Sequence, residues 1–254
     1  MRRSRPCIAS EFDRDATIEE SRKALELNPG LANAHFYVGG ALFHLGLLDE
    51  AEGVVRAGLQ VRPMGDRVEA LRTLGTIALA AGRYDEAIAL LQDLQRLSDR
   101  PVSDPWLALA YFYAGEVALA ERLAEDLAAP GSGSSASRAR AALAGFLANR
   151  GERERPLRLV ALAGRGLVDH HVAYSLGAAH AHLREPQEAV RWLRTAAETG
   201  FPCYPWFARD PLLDPIRADT AFRALLAQLE ASWQRELGRY GTASGRRRPV
   251  DDAR

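Results

Sequence analysis

Three carboxylates, Asp210, Asp214 and Asp219, crowd into the stretch TGFPCYPWFARDPLLDPIRADTAF (199–222). Carboxylates at such spacing can share a proton for acid–base work or hold a divalent cation. Two of them stand directly before proline (Asp210-Pro211 and Asp214-Pro215), and Asp219-Thr220 opens an amphipathic run. An aspartate N-cap followed by proline at the first helical position is also how a helix starts. Three successive caps account for the spacing without chemistry, so the stretch is read as architecture.

The remaining chemical candidates converge less. His170 and His171 are adjacent, and His180 and His182 are two apart. Along one helix such pairs point to different faces, so none is assigned a catalytic or metal role. Cys7 and Cys203 have no metal or redox spacing. The sequence contains no H-E-x-x-H, no glycine-rich phosphate loop and no G-x-S-x-G. The expectation is therefore no catalytic residue, no metal and no cofactor.

What must position these residues is a folded, soluble chain. Of 254 residues, 47% are hydrophobic, enough for a core, and 33 basic residues balance 33 acidic ones. A net charge of zero argues against commitment to nucleic acid through a basic field. Arg138 to Arg165 is arginine-rich, but its single aromatic, Phe146, gives no stacking platform for bases. No apolar run is long enough for a membrane span, and no apolar segment follows the basic N-terminus as in a leader peptide. The expected compartment is cytoplasmic.

Self-similarity fixes the organisation. Val38-Gly39, Leu42, Gly46, Ala51 and Val55 form a ladder that returns as Leu74-Gly75, Ala78, Gly82, Ala87 and Leu91. It returns again as Leu107-Ala108, Tyr111, Gly115, Ala120 and Ala124. A fainter copy runs Leu143-Ala144, Leu147, Gly151, Pro156 and Val160, and the last runs Leu176-Gly177, His180, Arg184, Ala189 and Leu193. Each unit reads as helix, glycine-centred turn and second helix, with Asp49 and Asp85 expected at N-caps. Small residues let the two helices approach closely, and each unit needs its neighbours to bury its apolar face. Pro156 delays its helix to near Arg155.

On this ladder the chain resembles a tetratricopeptide repeat (TPR) protein over about residues 15 to 200. The resemblance implies an all-α, right-handed superhelix of helix-turn-helix repeats with a C-terminal capping helix. The expected divisions are an N-terminal tail (1–14) and an array of a partial repeat plus about five repeats (15–200), with a flexible break near 130–137. A proline- and aromatic-rich cap and helix (201–240) and a disordered tail (241–254) follow.

Such arrays bind partners on a concave surface lined by the first helix of each pair. Projection along the ladder places Asn33, Phe36, His44, Arg72, Thr76, Phe112, Tyr113, Asn149, His171, Tyr174 and His182 on that groove. The Lys/Asn clamp for acidic chaperone tails is missing: its positions carry Phe36 with Gly40 and Pro105 with Leu109. The expected function is a non-enzymatic scaffold or adaptor for a protein or peptide partner, with neither nucleic acid nor membrane involved. A hydrolase or transferase on a helical-repeat scaffold is the alternative. The incomplete N-terminal repeat could also support self-association. The core D-P-x-L-D-P-x-R-x-D from Asp210 resembles a tail found after TPR arrays in bacterial signalling proteins linked to serine/threonine kinase, cyclase or winged-helix domains. That resemblance implies a regulatory role, and a chain beginning in mid-repeat would fit a remnant of such a protein.

Overall fold

The computed structural model describes residues 7–8, 14–61, 67–97, 105–129, 135–165 and 167–241. It is an all-α solenoid of consecutive helix pairs. Helix α1 (Arg14–Leu27) packs on α2 (Ala32–His44), which pairs with α3 (Leu48–Val61). The next pairs are α4 (Arg67–Ala80) with α5 (Tyr84–Leu97), and α6 (Pro105–Tyr113) with α7 (Val117–Ala128). Helices α8 (Ser135–Asn149) with α9 (Glu154–Ala163), and α10 (His170–His182) with α11 (Pro186–Thr199), complete the array. A short α12 (Tyr204–Arg209), a 3-10 helix (Pro211–Ile216) and a long α13 (Thr220–Tyr240) close the chain. One parallel bridge joins β1 (Cys7–Ile8) to β2 (Leu167–Val168), just before α10.

The ladder explains the pairs. At its small positions a side chain would collide with the partner helix: a Cβ on Gly39 would lie 2.2 Å from Val55 Cγ2, and one on Gly177 2.6 Å from Leu193 Cγ. The first helix of each pair is buried on several sides, whereas the second buries one stripe, such as Ala87, Leu91 and Leu94 on α5. That is the pattern of an inner and an outer helical layer.

Each first helix ends alike. Gly46, Gly82, Gly115 and Gly151 adopt positive φ, and Arg184 does so at the fifth turn (φ 60°). The residue after each donates its N–H five residues back: Leu47 to Leu42, Arg83 to Ala78, Glu116 to Tyr111, Glu152 to Leu147 and Glu185 to His180. This bond satisfies a carbonyl that the helix end would otherwise leave open.

Some local expectations need correction. Asp49 and Asp85 lie inside the first turns of α3 and α5, not at the caps. There a carboxylate still complements the helix dipole. Asp210 and Asp219 do cap, accepting from the N–H of Leu212 (2.8 Å), and of Ala221 (2.8 Å) and Phe222 (3.0 Å). Asp214 instead sits within the 3-10 helix and accepts from Arg217 Nε at 2.8 Å. Ser135 to Ser137, within the expected break, form the first turn of α8. The rest of that break, and the tail beyond Gly241, lie outside the described residues.

Segment 201–240 reaches across the molecule as well as covering the last pair. Helix α13 packs on α11 and α12, and its Trp233 Nε1 donates to Gly46 O at the α2–α3 turn (3.0 Å). Arg239 donates to Asp15 (2.9 Å) and Glu19 (2.8 Å) of α1, and Tyr240 OH to Asp15 (3.1 Å). The C-terminal helix thereby ties the last repeat to the first.

Candidate functional site

The ladder register defines the inner surface. Residues 33, 37, 40 and 44 lie one turn apart along α2. Their equivalents include Thr73 and Thr76 on α4; Trp106, Leu109 and Tyr113 on α6; Arg138, Ala142, Gly145 and Asn149 on α8; and His171, Ser175, Ala178 and His182 on α10. Trp106, Leu109, Tyr113, Ala142, Gly145, His171, Ser175 and Ala178 line one small cavity of about 10 Å³, which agrees with this register. Ala141, Tyr174, Trp206 and Leu212 complete its wall.

On this surface lies the chain's own segment 201–216. Phe201, Trp206, Phe207, Leu212 and Leu213 are buried. Phe43 of α2 meets both Phe201 (5.8 Å between centroids) and Trp206 (6.4 Å), Trp106 meets Trp206 (5.5 Å), and Tyr174 meets Phe207 (4.9 Å). First helices from the first, third and fifth pairs thus share one aromatic core.

At its polar centre is Asp210. Its Oδ1 accepts from Tyr113 OH (2.7 Å) and Leu212 N–H (2.8 Å), and its Oδ2 from Tyr174 OH (2.7 Å) and Trp206 Nε1 (3.3 Å). Burial pushes this carboxyl above its ordinary range, against the opposing pull of those four donors. Burial and the Asp210 charge together raise both tyrosines well above theirs. Four donors fill the lone-pair positions of one carboxylate. The group therefore anchors segment 201–216 and has no acceptor position left for a substrate. Beside it, Leu79, Tyr84, Tyr113, Arg209 and Pro211 border an open hollow of about 50 Å³.

A second polar cluster lies about the same aromatics. His44 ends α2, and His170 and His171 begin α10. The Nε2 of His44 lies 3.1 Å from that of His170 and 3.2 Å from that of His171, while its Nδ1 donates to Gly40 O at 2.6 Å. Trp106 and Phe201 flank the His171 ring at 4.8 and 4.9 Å. Burial, and then the charge of Arg138 and the neighbouring imidazoles, hold His171 well below the usual histidine range. Asp169 fixes the start of α10 by accepting from Val172 N–H (2.8 Å) and pairs with Arg138 (3.2 Å). Burial raises its carboxyl, but the Arg138 charge and that N–H outweigh burial and leave it below its ordinary range.

The expected groove residues therefore divide. His44, Tyr113, His171 and Tyr174 come together around segment 201–210. Phe36 is 3% exposed and packs with Val55, Ala70 and Leu74 between helices. Phe112 stacks on Phe146 at 4.4 Å. Thr76 is buried, with its hydroxyl donating to Thr73 O (2.9 Å). Arg72 pairs with Glu69, Asn33 and Asn149 are exposed at opposite ends of their helices, and His182 is partly buried at the end of α10. Burial lowers His182, against the pull of Asp214 and a backbone bond to Leu212.

Sequence reasoning missed Asp210, Trp106, Trp206, Phe201 and His170 as neighbours of this site. The ladder could have supplied Trp106, the third-repeat counterpart of Tyr37. For Asp210 the same Asp-Pro signal serves a plain helix cap and a buried anchor. Adjacent histidines were expected to diverge. His170, however, is the first residue of α10, and both rings reach a third from another repeat.

No protein-family model matches the chain, and no curated protein matches it. Among solved structures it is similar to YrrB, a TPR protein with an unusual peptide-binding site. There the identity is 16%, the TM-score 0.44, and the match covers 84% of this chain and 99% of that one. It is also similar to a chain of the Naa15/Naa10 assembly bound to HypK-THB, with 17% identity and a TM-score of 0.31; 92% of this chain matches 41% of that one.

Proposed function

We propose that this solenoid is a non-enzymatic scaffold for a protein or peptide partner, engaged at the N-terminal part of its inner surface. The observation that carries this reading is Tyr37, 61% exposed on the same stripe of α2 as His44. Asn33, one turn earlier, is also exposed. Segment 201–216 meets Phe43 and His44 at the end of α2, whereas at Tyr37, two turns earlier, an aromatic side chain stands in solvent. An exposed tyrosine with an amide beside it offers apolar contact and hydrogen bonding at little entropic cost, as docking surfaces do. Arg72, partly exposed on α4, would favour a carboxylate on the bound segment.

The resemblance of the Asp210–Asp219 core to tails of bacterial signalling proteins supports a regulatory, cytoplasmic setting. Among the described residues no helix is long and apolar enough to cross a membrane. Leu27 (83% exposed) and Leu31 (41%) at the α1–α2 turn support self-association as a further use of the same end.

A displayed peptide library selected against the whole chain tests the reading. Selected peptides should lose at least about tenfold in affinity with Tyr37→Ala, as expected of an interface anchor. The melting temperature should stay unchanged, because the side chain is mostly in water. Selection of no peptide, or of peptides indifferent to Tyr37→Ala, Asn33→Ala and Arg72→Ala, would overturn it.

A further inference from the structure

We propose that His44, His170 and His171 form a three-histidine site for a divalent transition metal, zinc being the fitting ion, that clips the first repeat to the fifth. One candidate ligand atom from each residue lies within 4.8 Å of the others. The Nε2 of His44 stands 3.1 Å from that of His170 and 3.2 Å from that of His171. Zinc–nitrogen bonds of about 2.0–2.1 Å at tetrahedral angles place ligand nitrogens about 3.3 Å apart. The rings already stand close to that edge length.

The tautomer of His44 points the same way. Its Nδ1 is 2.6 Å from the Gly40 carbonyl, which can only accept, so Nδ1 carries the proton. Nε2 then presents one lone pair, and two other Nε2 atoms face it. A single lone pair suits one donor, whereas a cation addressed by three imidazoles uses all three. A ligating histidine whose other nitrogen donates to a backbone carbonyl is the usual outer support of a metal site.

The remaining surroundings hold the rings in place. Gly200 presses on the opposite side of His170, where a Cβ would fall 2.6 Å from Nδ1. Phe43, Trp106 and Phe201 wall the cluster with apolar rings. Asp169, bound to Arg138, sets the start of α10. All three histidines keep partial exposure, which gives the ion an entry path and leaves its fourth position to water. A set made only of nitrogens favours zinc and its neighbours over calcium or magnesium, which prefer oxygen.

The site joins residues 126 and 127 positions apart. It exists only when α2 and α10 are brought together, so the ion binds the folded state and stabilises it by mass action. Zinc would thereby strengthen the same closure that α13 makes through Trp233 and Arg239.

The test uses the full chain, free of any oligohistidine tag and stripped with chelator. Zinc chloride should raise the melting temperature by several degrees at concentrations a hundredfold above Kd. Chelator should reverse the rise, and magnesium chloride should give none. Cobalt(II) should develop the intense visible band of a tetrahedral site. His44→Gln and His170→Asn should each weaken binding on the order of 100-fold, with circular dichroism confirming the helices. No cobalt band and no zinc-dependent stabilisation in the wild type would overturn the site. So would stabilisation that survives in both folded variants. If either variant fails to fold, the wild-type cobalt spectrum and its reversal by chelator decide alone. A tyrosine-dependent peptide affinity is read separately, so this site and the docking reading can fail independently.

Discussion

The hydroxyl of Tyr113 ends 2.7 Å from Oδ1 of Asp210, joining the third repeat to a segment 97 residues downstream. Tyr174 donates to the other oxygen of the same carboxylate at the same distance. The solenoid's inner face is thus held to segment 201–216 by one buried acid whose acceptor positions are filled.

Replacing that acid should be costly. Asp210→Ala leaves two phenols, an indole N–H and the Leu212 N–H without their acceptor, and each unsatisfied buried group costs about 1–3 kcal/mol. A loss of about 3 kcal/mol or more is expected in urea denaturation. Asp210→Asn retains one acceptor oxygen and should lose less. Equal, small losses for both would show that the anchor contributes little.

Alkaline pH should weaken the fold at the same place. Tyr113 and Tyr174 are held well above their ordinary value of 10.0 by burial and by Asp210, with Tyr84 beside the first and Arg217 opposing at the second. In the unfolded chain these phenols lose their protons near pH 10, while in the folded chain they keep them. The folded state therefore binds more protons there, and its stability is complete below about pH 10 and falls as pH rises beyond it. Melting temperatures across that range should show the decline, with a shallower slope in Tyr113→Phe.

The same substitution should have opposite signs at two glycines. A Cβ on Gly75 would lie 2.7 Å from Leu91 Cγ, whereas one on Gly53, exposed in α3, meets nothing within 4 Å. Gly75→Ala should cost about 1–3 kcal/mol through overpacking. Gly53→Ala should add about 0.5–1 kcal/mol through helix propensity. Paired denaturation curves decide both.

The fifth turn offers a simple gain. Arg184 is exposed and occupies the left-handed conformation that glycine takes at the four equivalent turns. A side chain costs roughly 1–2 kcal/mol there, partly offset by glycine's greater freedom in the unfolded chain. Arg184→Gly should therefore raise stability by about 0.5–1 kcal/mol, seen as a higher melting temperature.

Cys203 should be silent until the chain unfolds. Its thiol is buried and pushed up to about 12 by desolvation, against a backbone bond from Trp206. In a Cys7→Ser background, an alkylating reagent should label it only above the denaturant midpoint. Prompt labelling of the native protein would show that segment 201–203 opens.

Local periodicity in the sequence determined the helix pairs, their turns and the close approaches at Gly39, Gly75 and Gly177. These features depend on neighbours within one repeat, and one repeat's pattern contains them. The stripe carrying His44, Tyr113 and His171 was legible for the same reason, because helical spacing alone places residues on a face. What those residues meet was decided by the tertiary structure. Small rotations accumulated over successive repeats bring α2, α6 and α10 about one segment, and no spacing within a repeat records that sum. Asp210 reads as a helix cap in the sequence and becomes a four-donor anchor only when Tyr113 and Tyr174 arrive from two repeats. His170 and His171 read as a divergent pair until His44, from the first repeat, closes on both.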